Sequence, residues 1–202
     1  MTNALTAPRL SAAPRPLADA VLPRTLVTST ALVLGGAVLT AAAAQVSVPL
    51  WPVPITGQTL AVLLVGSALG ARRGAASMLV YALLGLVGLP VFAAGTSGAG
   101  VLFGASGGYV VGFVAAAAVV GWVADRFGDR PLRTAILSCT LGTVVTFGFG
   151  LAWLAVVLGT DLQQTLAYGL YPFIVGGVVK ALFGAAVIRL GWAAALRRRT
   201  RY

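Results

Sequence analysis

The chain has 202 residues, 59% of them hydrophobic, with 14 Lys and Arg, 4 Asp and Glu and no His. A charged fraction of 9% lies far below the roughly 25% of soluble domains and cannot wet a globular surface, so the chain belongs in a membrane. One Cys and no His exclude a disulfide framework, remove the usual metal ligands and the commonest general base, and leave neither a metal centre nor hydrolytic or redox catalysis to expect.

Residues 1–23, rich in Ala, Pro and Arg, read as a disordered cytoplasmic tail. No charge occurs between Arg24 and Arg72, a gap that holds two spans and a loop, since about 20 residues cross ~30 Å of hydrocarbon. Pro49, Pro52 and Pro54 forbid helix through the middle and Trp51 suits an interface, which places the loop at Val48 to Gln58. The first helix then runs from roughly Thr25 to Val46 and the second from roughly Thr59 to Gly70. Ala41, Ala42 and Ala43 resemble a signal-peptide cleavage site, but the apolar run exceeds the ~7 to 15 residues of a signal h-region, so the helix is expected to stay. The uncharged stretch from Arg73 to Asp125 is broken by Gly88, Pro90 and the Gly-rich segment Gly95 to Gly108, giving a third and a fourth span. A fifth helix ends near Leu158, a sixth covers Tyr171 to Trp192, and residues 196–202 form a basic tail.

The expected fold is therefore all-α, an integral membrane bundle of six transmembrane helices over residues 24–195. Treating the short second and third segments as a re-entrant hairpin would put Arg72 and Arg73 at membrane depth, at ~2.5 kcal/mol each or more, so both are read as spans. An even number of spans puts both termini on one side. The loops Val48–Gln58, Leu89–Gly107 and Gly159–Leu170 contain no Lys or Arg, and by the positive-inside rule the side that holds the arginines is the cytoplasm. The net charge of +10 is then an orientation signal, and no nucleic-acid partner is expected.

Lys180 is the exception, an ionisable residue inside the last span. It either snorkels outward or marks a ligand site; the second reading is preferred, because no acid lies within reach by sequence and a lone ammonium favours a substrate carboxylate. The Gly-rich segment offers backbone groups together with Thr96 and Ser97 to a small polar ligand, and its Val91, Phe92, Val101, Leu102 and Phe103 argue that it folds back onto the bundle. The proline-stiffened first loop suits a lid, and Gln58 presents an amide where the second helix starts. Ala31 with Gly35 and Ala37 with Ala41 repeat small residues at four-residue spacing, for internal packing or for docking a partner helix. Tyr81, Tyr109 and Trp122 suit either the core or an interface, and Cys139 is assigned nothing.

Four motifs occur in order: Pro52-Val53-Pro54-Ile55 with Gln58, Gly85 to Phe92, Gly107-Gly108-Tyr109 with Gly112-Phe113, and Pro172-Phe173-Ile174 with Gly176 and Lys180. Together they resemble the BioY family, the biotin-binding S components of energy-coupling factor (ECF) vitamin transporters, over about residues 25–195. The resemblance implies a non-enzymatic protein of the bacterial plasma membrane that captures biotin from outside. It implies as partners a transmembrane coupling subunit and two ABC-type ATPases, which would use ATP, with no cofactor in this chain; solitary or homo-oligomeric transport stays open. It also implies substrate contacts among Lys180, Gln58, Thr56, Tyr81, Phe92, Thr96, Ser97, Gly107, Gly108, Tyr109 and Phe173, and a partner-docking role for Ala31, Gly35, Ala37 and Ala41. The last motif departs from the family pattern, with Val175 for a proline and Gly177 for an acid. That keeps open another small carboxylate, such as a biotin precursor, as the ligand. A solitary secondary transporter is disfavoured by the lack of an intramembrane carboxylate or His.

Overall fold

A computed structural model of the chain describes residues 16–199. In chain order the helices are α1 (Leu17–Val21), α2 (Leu26–Gln45), α3 (Gln58–Leu69), α4 (Ala71–Leu86), α5 (Ala99–Leu102), α6 (Gly107–Phe127), α7 (Leu132–Leu158), α8 (Leu162–Gly169) and α9 (Ile174–Arg199). Strands β1 (Ser47–Val48) and β2 (Ile55–Thr56) pair antiparallel between α2 and α3, with Ser47 opposite Thr56. Four helical stretches, Leu26–Gln45, Gly107–Phe127, Leu132–Leu158 and Leu162–Arg197, are long and apolar enough to cross a membrane by length and composition. With no water to bond to, such segments satisfy their backbone groups internally, which is why long Ala/Val/Leu/Gly runs are helical here despite their β-branched content. α3 has 12 residues and α4 has 16, so at 1.5 Å per residue the first reaches only about 18 Å.

The outer surface is lipid-like, with Val38, Val144, Val156, Val179 and Phe183 all exposed. α6 is the central helix: 67% of its apolar window is buried, against 17% for α2 and 22% for α7. Close approach around α6 relies on residues without side chains. A Cβ on Gly121 would lie 2.3 Å from the Ala71 nitrogen, and one on Gly108 would lie 2.2 Å from the Trp153 Cβ. α3 and α4 meet at Gly70, whose φ of 83° belongs to the left-handed region and lets the chain reverse without a loop. The Asp125 carboxylate accepts the Ala71 N–H at 3.0 Å, capping α4 from α6.

Contacts sort the connections into two ends. At one, Asp19 accepts from Arg24 at 2.5 Å and Arg73 at 2.6 Å, while buried Asp129, just after α6, accepts from the Ser67 hydroxyl and from Trp192 Nε1 at 2.6 Å. At the other, the β1–β2 hairpin, the segment from Leu89 to Ser106, and α8 gather over the starts of α3, α6 and α9. One core cluster, with Val62, Met78, Tyr81, Phe92, Tyr109 and Phe113, runs from the cavity end to Leu69 and Ala18. A second, with Leu63, Val120, Cys139, Ala185, Ile188 and Trp192, runs from Leu63 beside the cavity to Trp192 at the arginine-bearing end.

Several expectations change. Residues 1–15 of the expected tail lie outside the described residues, but 17–21 form α1, held by Asp19 to Arg73 and by Leu17 against Gly191. The last helix does not end at Trp192 but runs to Arg199, because Ala-Ala-Ala-Leu-Arg is strong helix-forming sequence; residues 200–202 lie outside the described residues. The loop expected at Gly159–Leu170 contains α8, capped by Asp161 Oδ1 accepting from Gln164 N–H at 2.8 Å. Gly107 and Gly108 open α6 rather than closing a loop.

Candidate functional site

A cavity of about 430 Å³ is lined by the β1–β2 hairpin and the segment from Phe92 to Ser106, with Leu63 of α3 also on its wall. The prolines read as helix breakers do more than break: Pro49, Pro52 and Pro54 line the cavity together with Val53 and Ile55. Opposite, Phe92 is 1% exposed and packs edge-on against Tyr81 at 5.5 Å. Gly85 makes room for it, since a Cβ there would lie 2.0 Å from Phe92 Cζ. The far wall is aromatic. Tyr109 stacks with Phe173 at 6.4 Å and meets Phe147 edge-on at 6.0 Å, and its hydroxyl donates to the Gly169 carbonyl at 2.8 Å.

Polar groups converge at one side of this apolar space. Lys180, half-buried in the second turn of α9, is the one Lys or Arg among the described residues that line the cavity, and no Asp or Glu lines it. Its Nζ donates to the Thr56 carbonyl at 2.6 Å and to Thr59 Oγ1 at 3.1 Å. The Gln58 amide is fixed in orientation: Nε2 donates to the Tyr81 hydroxyl, and Oε1 accepts from Thr56 Oγ1 at 2.7 Å. The arrangement is an ammonium without a counter-charge beside an oriented amide, at the edge of a greasy slot. It offers no nucleophile with a base beside it.

The sequence pattern of the BioY family matches residues 13–197. The chain belongs to the BioY family. It is 34% identical over 165 residues to the biotin transporter BioY2 of Lactococcus lactis subsp. cremoris (strain MG1363), covering 80% of this chain and 90% of that one. It is 37% identical over 143 residues to the probable biotin transporter BioY of Pyrococcus horikoshii, covering 71% of this chain and 83% of the relative. It is also similar to the crystal structure of the S-component for biotin from an ECF-type ABC transporter, with a TM-score of 0.67, 25% identity, and 83% of this chain and 93% of the other covered. The chain is accordingly a membrane protein of a transporter family.

Of the residues expected at the site of this BioY chain, Lys180, Gln58, Thr56, Phe92, Thr96, Tyr109 and Phe173 line the cavity. Tyr81 does not; it stands behind Gln58 and holds it. Ser97 also stays off the wall, and the Thr96 hydroxyl is spent on the Ala93 carbonyl at 2.8 Å. Gly107 and Gly108 are also off the lining and stand at close approaches, where a Cβ would strike the Leu102 carbonyl or Trp153. The Gly-rich segment folds back as expected through Phe92, Val101 and Leu102, but Phe103 points outward, 69% exposed. Of the small residues on α2, Ala31 and Gly35 are exposed, whereas Ala37 is buried in the core and Ala41 packs against it. The four-residue spacing therefore mixes an outer and an inner face. Sequence reasoning missed Thr59, Ser106, Thr143 and Phe147 on the wall. Thr143 and Phe147 share one face of α7 at i, i+4, but nothing in their types separates them from packing residues.

Proposed function

We propose that the chain is a membrane-embedded capture subunit that binds biotin from the outer face and delivers it to the cytoplasm with an ATP-driven coupling module. The observation that carries the reading is the lone Lys180 ammonium on the wall of an apolar cavity in a BioY chain whose relatives are named biotin transporters. The valerate carboxylate meets Lys180, taking over from the Thr56 carbonyl, and a charge-assisted bond is the strongest single contact such a ligand can make there. The Gln58 amide faces the ureido group, able to donate and accept at once. The apolar ring and chain lie against Tyr109, Phe147 and Phe173, and the proline hairpin and the Phe92 segment close over them.

In this reading α2, α3, α4, α6, α7 and α9 are six spans, the arginine-bearing end and both termini are cytoplasmic, and the cavity opens outward. A transmembrane coupling subunit and two ABC-type ATPases supply the energy, so ATP is used by the partners. The exposed Ala31–Gly35 face of α2 is where the coupling subunit docks. A second reading, a smaller or precursor carboxylate as ligand, draws on Gly177, which lines the cavity with no carboxylate of its own.

Calorimetry on the detergent-purified chain tests the assignment. Biotin is expected to bind tightly and Lys180→Ala to weaken it by about 2 kcal/mol or more, the usual loss when one member of a buried charged pair is removed. Unchanged affinity in the variant removes Lys180 from the site, and absence of biotin binding with retention of desthiobiotin moves the proposal to the second ligand.

A further inference from the structure

The arginine-bearing end carries more positive charge than the chain itself answers. Three of the four acids lie there, and each is committed internally. Asp19 is taken by Arg24 and Arg73, Asp125 accepts the Ala71 N–H at 3.0 Å, and Asp129, 0% exposed, accepts from Ser67 and Trp192. The fourth, Asp161, caps α8 at the opposite end. Arg126 and Arg133, both exposed, stand on either side of the corner between α6 and α7, and neither has an ion-pair partner among the described residues. Between them exposed Arg130 lays its guanidinium over the Trp192 ring, 4.4 Å from its centroid, so this cation is already engaged within the chain.

Beside these cations are two aromatic rings that no packing accounts for. Trp122 is 54% exposed and Phe127 is 60% exposed, and they meet edge-on at 5.5 Å. Trp122 precedes Arg126 by one helical turn, so the two share a face of α6. The corner is also stiff: α6 is the most buried of the four long apolar stretches, Gly128 ends it with φ 72°, and Asp129 is fixed from two sides.

We infer that the Arg126–Arg133 corner with Trp122 and Phe127 is a binding site for the headgroup of an anionic phospholipid. The chemistry fits that source. Exposed Trp at the end of an apolar helix belongs at headgroup level, where acyl chains cover the ring and the phosphate lies within a side chain's reach. Guanidinium binds phosphate in a bidentate fork, and basic residues at the membrane surface favour anionic lipid. A choline headgroup brings its own ammonium to the same corner and cancels the gain. An acidic protein surface would satisfy the arginines but leaves the apolar faces of Trp122 and Phe127 unexplained.

The site is independent of what occupies the cavity, so its test is separate from the biotin experiment. The delipidated full chain is titrated with phosphatidylglycerol and with phosphatidylcholine, and bound lipid is counted by native mass spectrometry. A preference for phosphatidylglycerol is expected, at roughly fivefold per arginine and about thirtyfold for two. Arg126→Gln with Arg133→Gln should abolish that preference while leaving the melting temperature and ligand affinity of the chain unchanged. Phosphatidylglycerol with brominated acyl chains should quench a fluorescence component that is missing in Trp122→Phe. Equal binding of the two lipids, or a preference that survives the double substitution, overturns the proposal, as does quenching that is the same with and without Trp122.

Discussion

At the scale of single residues, the site depends on a side chain that does not line the cavity, Tyr81. Gln58 can present a defined donor and acceptor because Thr56 and Tyr81 occupy one position on each end of its amide. Tyr81 is 0% exposed and also supports Phe92 on the opposite wall, so one phenol couples both. Tyr81→Phe keeps the ring and removes the acceptor, leaving a buried Gln58 N–H unpaired. The expected cost is about 1–3 kcal/mol of stability, with weaker ligand binding although no lining residue has changed. Thermal melting and calorimetry on the variant check both, and wild-type affinity would mean that the amide needs no support. The same logic explains which candidates were legible. Lys180 announces itself because an ammonium within an apolar run is costly, and snorkelling is the one bland reading to set against a ligand site. Thr59 and Thr143 stay hidden because a hydroxyl in a membrane helix is equally satisfied by a backbone carbonyl one turn back, as Thr143 Oγ1 is by the Cys139 carbonyl at 2.9 Å.

Among elements, the decisive pair is α3 and α9, which carry Gln58, Thr59 and Lys180. They are clasped at both ends: by Lys180 to Thr56 and Thr59 beside the cavity, and by Asp129 to Ser67 and Trp192 at the far end. Asp129→Ala removes the acceptor for two buried donors, each costing about 1–3 kcal/mol. A melting temperature lower by roughly 2–4 °C per kcal/mol is expected, with Asp129→Asn in between; a variant that melts like the parent refutes the clasp. α1 is held differently. Burial opposes the Asp19 carboxylate, but the bonds and charges of Arg24 and Arg73 outweigh it and hold its pKa below the ordinary 3.8. A carboxyl held low contributes stability that is fully present above its unfolded value and lost as the pH falls through its folded value. Hydrogen-exchange protection of residues 17–21 should therefore be constant from neutral pH to about 4 and collapse below, and Asp19→Asn should lack it throughout. Protection in that variant equal to the parent's would show that Leu17 alone docks the helix.

For the whole molecule, charge and depth are separated along the bundle. The cavity end exposes apolar loops and a single acid, and the other end exposes Arg126 and Arg133 without an ion-pair partner among the described residues. The orientation proposed above, with the arginine-bearing end cytoplasmic, rests on that asymmetry. Cys139 is buried, so cysteines introduced at Thr160 and Phe127 can be labelled separately. A membrane-impermeant maleimide is expected to reach Thr160→Cys on intact cells and Phe127→Cys only after permeabilisation. The reverse pattern inverts the topology and turns the cavity inward.

Hydropathy and charge by themselves determined that this chain is helical and membrane-embedded, where α7 ends, that the first loop cannot be helix, and that Lys180 needs a partner. Each follows from a cost local to the residue: an unsatisfied backbone in lipid, a locked φ at proline, an ammonium away from water. Only the tertiary structure decided which glycines line a wall and which let helices touch. It likewise decided that α1 and α8 are ordered, that Ala37 faces the core while Gly35 faces outward, and that Tyr81 acts through Gln58. The physical reason is common to all of these. In helices apolar on every side, periodicity carries no face information, so burial is assigned by which neighbours approach, and that is a property of the assembled bundle.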